Sequence, residues 1–120
     1  MTRSWYQQFK RLPKEDRTYN KIVFDSKKEM LKYQDLLTMQ FAGEIKNLKC
    51  QVQHQLILPN GVPIKTPSGR TSIYTADFEW DDVITGGHII ADVKGYQDPA
   101  SCFRICVFEA ISGKKVLIIK

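Results

Sequence analysis

Two acids interrupt strand-forming segments that a short glycine turn joins. Residues 70–80 are rich in Thr, Ile, Tyr, Phe and Trp, the types strands favour, yet Asp77 stands between Tyr74-Thr75-Ala76 and Phe78. Residues 88–94 read as a further strand, with Ile90, Asp92 and Lys94 facing one way and Ile89, Ala91 and Val93 the other. Thr85-Gly86-Gly87 marks the turn between the two segments, so they are expected to pair as a hairpin. A buried carboxylate is costly unless it is paired or bound to a metal. The hairpin must therefore bring Asp77 and Asp92 into one patch that something neutralises. Lys94 lies on the same side, about 7 Å along the strand from Asp92.

The remaining elements follow from periodicity. Met30, Tyr33, Leu37 and Phe41 recur at helical spacing and predict a helix over residues 26–41, with Ser26 as its cap and Gly43 as its stop. Leu48, Cys50, Val52, His54, Leu56 and Leu58 alternate with polar residues and predict a half-buried strand. Pro59-Asn60-Gly61 ends it, and residues 59–69 form a Pro/Gly loop. Asp98 caps a second helix with Pro99 in its first position, and Gly113 closes it. Its expected apolar face is Cys102, Phe103, Cys106, Val107 and Ala110. Val116-Leu117-Ile118-Ile119 reads as a final, fully buried strand. The order is α-β-β-β-α-β, which predicts an α/β fold with a mixed sheet flanked by helices.

At 120 residues the chain is one domain, and its hydrophobic fraction of 42% and charged fraction of 26% exclude a disordered or membrane-spanning class. No apolar run approaches the roughly 20 residues needed to span a bilayer. The first residues lack the apolar core of a signal peptide, so a cytoplasmic location without membrane contact is expected. Cys50, Cys102 and Cys106 lack metal-ligand spacing and are expected to be reduced core thiols. The formal net charge is +5. Residues 1–28 hold eight Lys/Arg against three Asp/Glu, whereas residues 29–120 hold ten of each. The excess sits in a basic N-terminal arm, residues 1–20, ahead of a body spanning residues 21–120. Arg3, Lys10, Arg11, Lys14 and Arg17 are candidate phosphate contacts for DNA, with Trp5 and Tyr6 able to stack on bases. A docked dimer arm is the alternative.

Two close carboxylates repel, and a divalent cation removes that penalty. Mg²⁺ prefers octahedral oxygen coordination and keeps several waters, so one or two carboxylates suffice. Such an ion can polarise a phosphate and lower the pKa of a bound water. Lys94 can orient that water or neutralise developing charge.

Asp77, fourteen residues and then Asp92-Val93-Lys94 resemble the signature of the PD-(D/E)XK nuclease superfamily. Many members add a glutamate from the helix before the sheet, and Glu29 matches it. A narrower likeness covers residues 20–120: Phe24-Asp25-Ser26-Lys27-Lys28-Glu29, Gly43-Glu44-Ile45, Tyr74-Thr75-Ala76-Asp77-Phe78 and Asp92-Val93-Lys94-Gly95 resemble small phage-encoded endonucleases related to Holliday-junction resolvases. Ala76 stands where the superfamily has proline, and Asp92 where glutamate is more frequent. The resemblance implies a restriction-endonuclease-like core and a Mg²⁺- or Mn²⁺-dependent endonuclease acting on DNA, branched DNA in particular, in the bacterial host cytoplasm. It implies Glu29, Asp77, Asp92 and Lys94 as catalytic residues. One or two ions are implied, held by Glu29, Asp77, Asp92 and the Val93 backbone carbonyl. A symmetric homodimer is implied as well.

Each residue also has a plainer reading. Ser26-Lys27-Lys28-Glu29 is a capping box, which alone explains Glu29. Glu79 is a possible further metal or water contact on the Asp77 face. Asp81 and Asp82 belong to the solvated hairpin end. His54 is expected in the core and His88 to be incidental. Gln51 is a candidate phosphate contact or simply an exposed strand residue. The rival functions are a linear-duplex or flap nuclease of the same fold and a non-catalytic nucleic-acid-binding module.

Overall fold

The computed structural model describes residues 13–94 and 98–120. After a short 3-10 turn, Lys14–Arg17, strands β1 (Thr18–Tyr19) and β2 (Ile22–Val23) form a small antiparallel hairpin. Helix α1 (Lys27–Phe41) follows, then β3 (Ile45–Gln55), β4 (Ile73–Asp82), β5 (His88–Val93), helix α2 (Pro99–Ser112) and β6 (Val116–Ile119). The main sheet has the order β3-β4-β5-β6, antiparallel across its first two pairings and parallel between β5 and β6. It is a mixed sheet in an α/β fold. Among the described residues no helix is long and apolar enough to cross a membrane.

The helices cover opposite faces of the sheet. Ile90 and Ala91, neighbours on β5, point into different cores. The α1 core centres on the rings of Phe24, Tyr33 and Phe78, with Leu36, Trp80 and Val93 around them. The α2 core gathers Leu56, Tyr74, Ala76, Ile105, Phe108 and Val116. Strand alternation slips at one level of the sheet. Ala76 and Phe78 are two residues apart and should share a face, yet they enter opposite cores. Cys50 packs with the α1 core, while His54, four residues on, packs on Phe108 of α2. The slip falls at Asp77 and at Gln51, whose φ of 53° breaks the extended backbone of β3.

Several sequence expectations are corrected. The Ser26 cap forms, its hydroxyl accepting from the Glu29 amide at 3.1 Å. However, the buried stripe of α1 is Glu29, Tyr33 and Leu36, with Met30 and Leu37 half-buried and Phe41 95% exposed. Asp98 caps α2 as expected, but α2 buries Ile105 and Phe108 and leaves Phe103, Cys106 and Ala110 exposed. That helix is apolar on nearly every side, so its pattern does not select a face. Cys106 is accordingly a surface thiol. Strand β6 lies at the sheet edge, where only Val116 is buried and Leu117 is half exposed.

The expected boundary at residue 20 falls inside the β1–β2 turn, where Asn20 and Lys21 have φ of 56° and 66°. Residues 13–20 thus pack with the body: Tyr19 meets Tyr33 edge-on, and the Asn20 amide reaches the Tyr33 hydroxyl. Arg17 is buried and donates to the Phe24 carbonyl at 2.5 Å, a structural role in place of the expected surface contact. Lys14 is exposed, and Arg3, Lys10 and Arg11 lie outside the described residues.

Candidate active site

Glu29 from the first turn of α1, Asp77 from β4, Asp92 from β5 and Lys94 just past its end line one cleft of about 370 Å³. Gln51 of β3 joins them, as do Asp25, Tyr74, Thr75, Ser101 and Arg104, which sequence reasoning did not single out. In the sequence Tyr74 stands in a strand-forming segment and Arg104 within a largely apolar helix. Their opening onto the acids depends on how β4 and α2 pack, for which the sequence carries no local signal.

The cleft sits where β4 and β5 part. Their ladder runs from Asp81↔His88 to Phe78↔Ala91 and stops one step short of Asp77 and Asp92. There the two carboxylates replace it. Asp92 Oδ1 accepts from the Asp77 amide at 3.0 Å, and Asp77 Oδ2 accepts from the Val93 amide at 2.8 Å. Val93 is thus tied to the site through its amide. The Tyr74 hydroxyl donates to Asp92 Oδ2 at 2.8 Å, and Lys94 Nζ lies 3.7 Å from the same oxygen. Asp92 is almost wholly buried, at 1% exposure.

The charges in this cleft are poorly balanced. Burial, aided by the neighbouring charges of Asp77 and Asp25, pushes the Glu29 carboxyl up to about 7, against a backbone hydrogen bond from Asp25 and the charge of Lys94. Burial and the charge of Asp92 raise Asp77 to about 6, against the Val93 amide and Lys94. Burial and Asp92 also push the Tyr74 hydroxyl up, so it remains a donor. The capping box is half formed: Ser26 caps Glu29, but the hydrogen bond that returns to the Glu29 carboxylate comes from the backbone of Asp25. Among the described residues no group of three or more His, Cys, Asp or Glu side chains is arranged to hold a metal ion.

Glu79 does not belong to this cleft. It is buried and bonds the Nε2 atoms of His54 and, at 2.7 Å, His88. His88 Nδ1 also meets Asp81 Oδ1 at 2.7 Å, and Asn47 donates to Asp81 Oδ2 at 2.8 Å. His88 is therefore not incidental, and Asp81 is paired; only Asp82 keeps a turn role, accepting from the Ile84 and Thr85 amides. His54 is half-buried between Tyr74, Phe108 and Glu79, as a core histidine should be.

The chain belongs to the family described as "Protein of unknown function (DUF1064)", whose profile matches residues 6–115. No curated protein and no solved structure matches it.

Proposed function

We propose that this DUF1064 chain is a metal-dependent endonuclease that hydrolyses phosphodiester bonds in DNA. We assign it to the PD-(D/E)XK superfamily with a restriction-endonuclease-like core, acting on branched DNA as a homodimer. One observation carries the reading: Glu29 of a helix, Asp77 of one strand, and Asp92 and Lys94 at the end of another, three separate stretches of sequence, open onto one cleft.

The donor set suits a divalent cation. Burial raises both carboxyls, the charge of Asp77 adds to the rise at Glu29 and that of Asp92 to the rise at Asp77, and a cation among them relieves that repulsion. Mg²⁺ needs only one or two carboxylates beside its waters, so part of this set suffices for each ion. Asp77, Asp92 and Glu29 would hold one or two Mg²⁺ or Mn²⁺ ions, with the Val93 carbonyl as a further donor. When bound, the cation supplies Lewis-acid polarisation of the phosphate and an acidified water.

The chain's own groups do the rest. The Tyr74 hydroxyl and the Asp77 amide fix the Asp92 carboxylate, and the Val93 amide fixes Asp77. Lys94 presents an ammonium that neutralises charge developing on the phosphate oxygens. A water oxygen adds to phosphorus, one P–O ester bond breaks, and the leaving oxygen takes up a proton. The products are a phosphate monoester and a hydroxyl end.

Incubating the full chain with four-way, Y-shaped and linear DNA, in Mg²⁺ and in EDTA, tests this. Mg²⁺-dependent cutting that favours the four-way junction is expected, and Asp92→Asn should abolish it while leaving the fold intact. Cutting only of Y-shaped or linear DNA replaces the junction assignment with the rival nucleases of the same fold. DNA binding without cutting under any condition makes the chain a binding module and ends the endonuclease reading.

A further inference from the structure

Strand β3 enters the left-handed region twice, at Asn47 (φ 58°) and Gln51 (φ 53°). Any residue with a Cβ is strained there, and asparagine least. Asn47 is explained by its partner, since its amide donates to Asp81 at 2.8 Å. Gln51 has no such explanation. It is exposed, its carboxamide makes no hydrogen bond among the described residues, and it lines the cleft. Glycine would adopt this backbone with less strain, so the fold does not account for a glutamine at this position.

Arg104 is the counterpart on α2. It lines the same cleft, and its only hydrogen bond among the described residues is a long one, from Nε to the Ala100 carbonyl at 3.4 Å. Among the described residues its terminal nitrogens hold no acid in place. With Lys94 it brings positive charge to a cleft that also holds Asp25, Glu29, Asp77 and Asp92. A guanidinium suits the non-bridging oxygens of a phosphodiester. A neutral carboxamide suits the same oxygens without drawing the acids into ion pairs.

We infer that Gln51 and Arg104 grip the phosphodiester backbone of the bound DNA strand from two different elements, apart from the acids that carry the chemistry. The inference rests on the endonuclease reading and adds to it the residues that seat the substrate.

The test uses the full chain with a synthetic four-way junction, Gln51→Gly and Arg104→Ala. Affinity is measured with Ca²⁺ in place of Mg²⁺, cleavage with Mg²⁺, and melting temperature without DNA. Gln51→Gly should cut at least fivefold more slowly while melting no lower than wild type, because glycine relieves the backbone. A merely structural residue would move activity and stability down together. Arg104→Ala should weaken binding at least fivefold and flatten the salt dependence by about 0.9 in log K against log salt, the contribution of one phosphate contact. Gln51→Gly, removing no charge, should leave that slope unchanged. Wild-type binding and cutting by either variant overturns the grip, as does a loss in Gln51→Gly that tracks a lower melting temperature. Failure of the wild-type chain to bind or cut DNA overturns the endonuclease reading itself, and the grip with it.

Discussion

The hairpin of β4 and β5 carries acids at both ends, and the ends treat them in opposite ways. Toward the turn, Glu79 and Asp81 meet His54, His88 and Asn47, and Asp81 is held below the usual carboxylate range by its hydrogen bonds to Asn47 and His88. His88 places each ring nitrogen against a carboxylate, which favours its protonated form and raises its pKa. Six residues from the turn-side Val83, Asp77 instead shares a cleft with Asp92 and Glu29 with only partial help from Lys94, and its pKa rises. Where the chain needs only stability, acids are given partners. Where partners are withheld, the excess charge is available to a ligand.

After the loss of cutting expected of Asp92→Asn, the largest effect should come from Lys94, whose ammonium lies 3.7 Å from Asp92. Lys94→Ala should lower DNA cleavage by about 100-fold or more, the scale of losing one transition-state charge donor. Metal binding, read by calorimetry, should persist, because a protonated lysine cannot ligate. Near-normal turnover with a lower melting temperature in metal-free buffer would make Lys94 a counterion like His88 and erase the contrast.

A middle-sized effect concerns metal removal. Asp77 and Glu29 have folded values of about 6 and about 7, above their ordinary 3.8 and 4.5. Over that window the folded chain keeps protons the unfolded chain has lost, so metal-free stability should fall as pH rises from about 4 to 7. Above it both acids are charged and a cation relieves them most. Mg²⁺ should therefore raise the melting temperature more at pH 7.5 than at pH 5, by roughly 5 °C. Equal increments at the two pH values would show that the cation does not act on these acids.

His88 should matter least. Its folded pKa is raised above 6.5, so its stabilisation is complete below that value and is lost as pH climbs through the folded one. The side chain is 45% exposed, so His88→Ala should cost at most about 1 kcal/mol at pH 6, less at pH 9, with cleavage untouched. Thermal melts at the two pH values check this; a large loss of cleavage would join the two ends of the hairpin into one functional unit.

Local signals in the sequence carried much of this. Ser26, Asp98-Pro99 and Gly113 mark helix ends through caps that need only neighbouring residues, and Asp77 and Asp92 stand out against apolar strands. What was hidden depends on distant packing. The face of α2 is chosen by the sheet, because Phe103 and Ile105 are equally apolar. The exposure of Leu117 follows from the edge position of β6. The Glu79 network requires His54 and His88 to arrive from two other strands, and the left-handed residues Asn47 and Gln51 have no glycine to announce them.

The exchange of bonds between Asp77 and Asp92 has a consequence for inheritance. Each carboxylate stands in for a rung of the ladder, accepting the amide that the parting strands leave open. Losing either acid to alanine leaves a backbone donor stranded, whether or not the chain still cuts anything. A lineage that abandoned its chemistry would still be held to both aspartates by folding alone. Glu29 and Lys94 close no gap in the sheet and are free to drift once cutting ceases. Among relatives of this chain, those two positions, rather than the aspartate pair, are the ones that should separate working copies from retired ones.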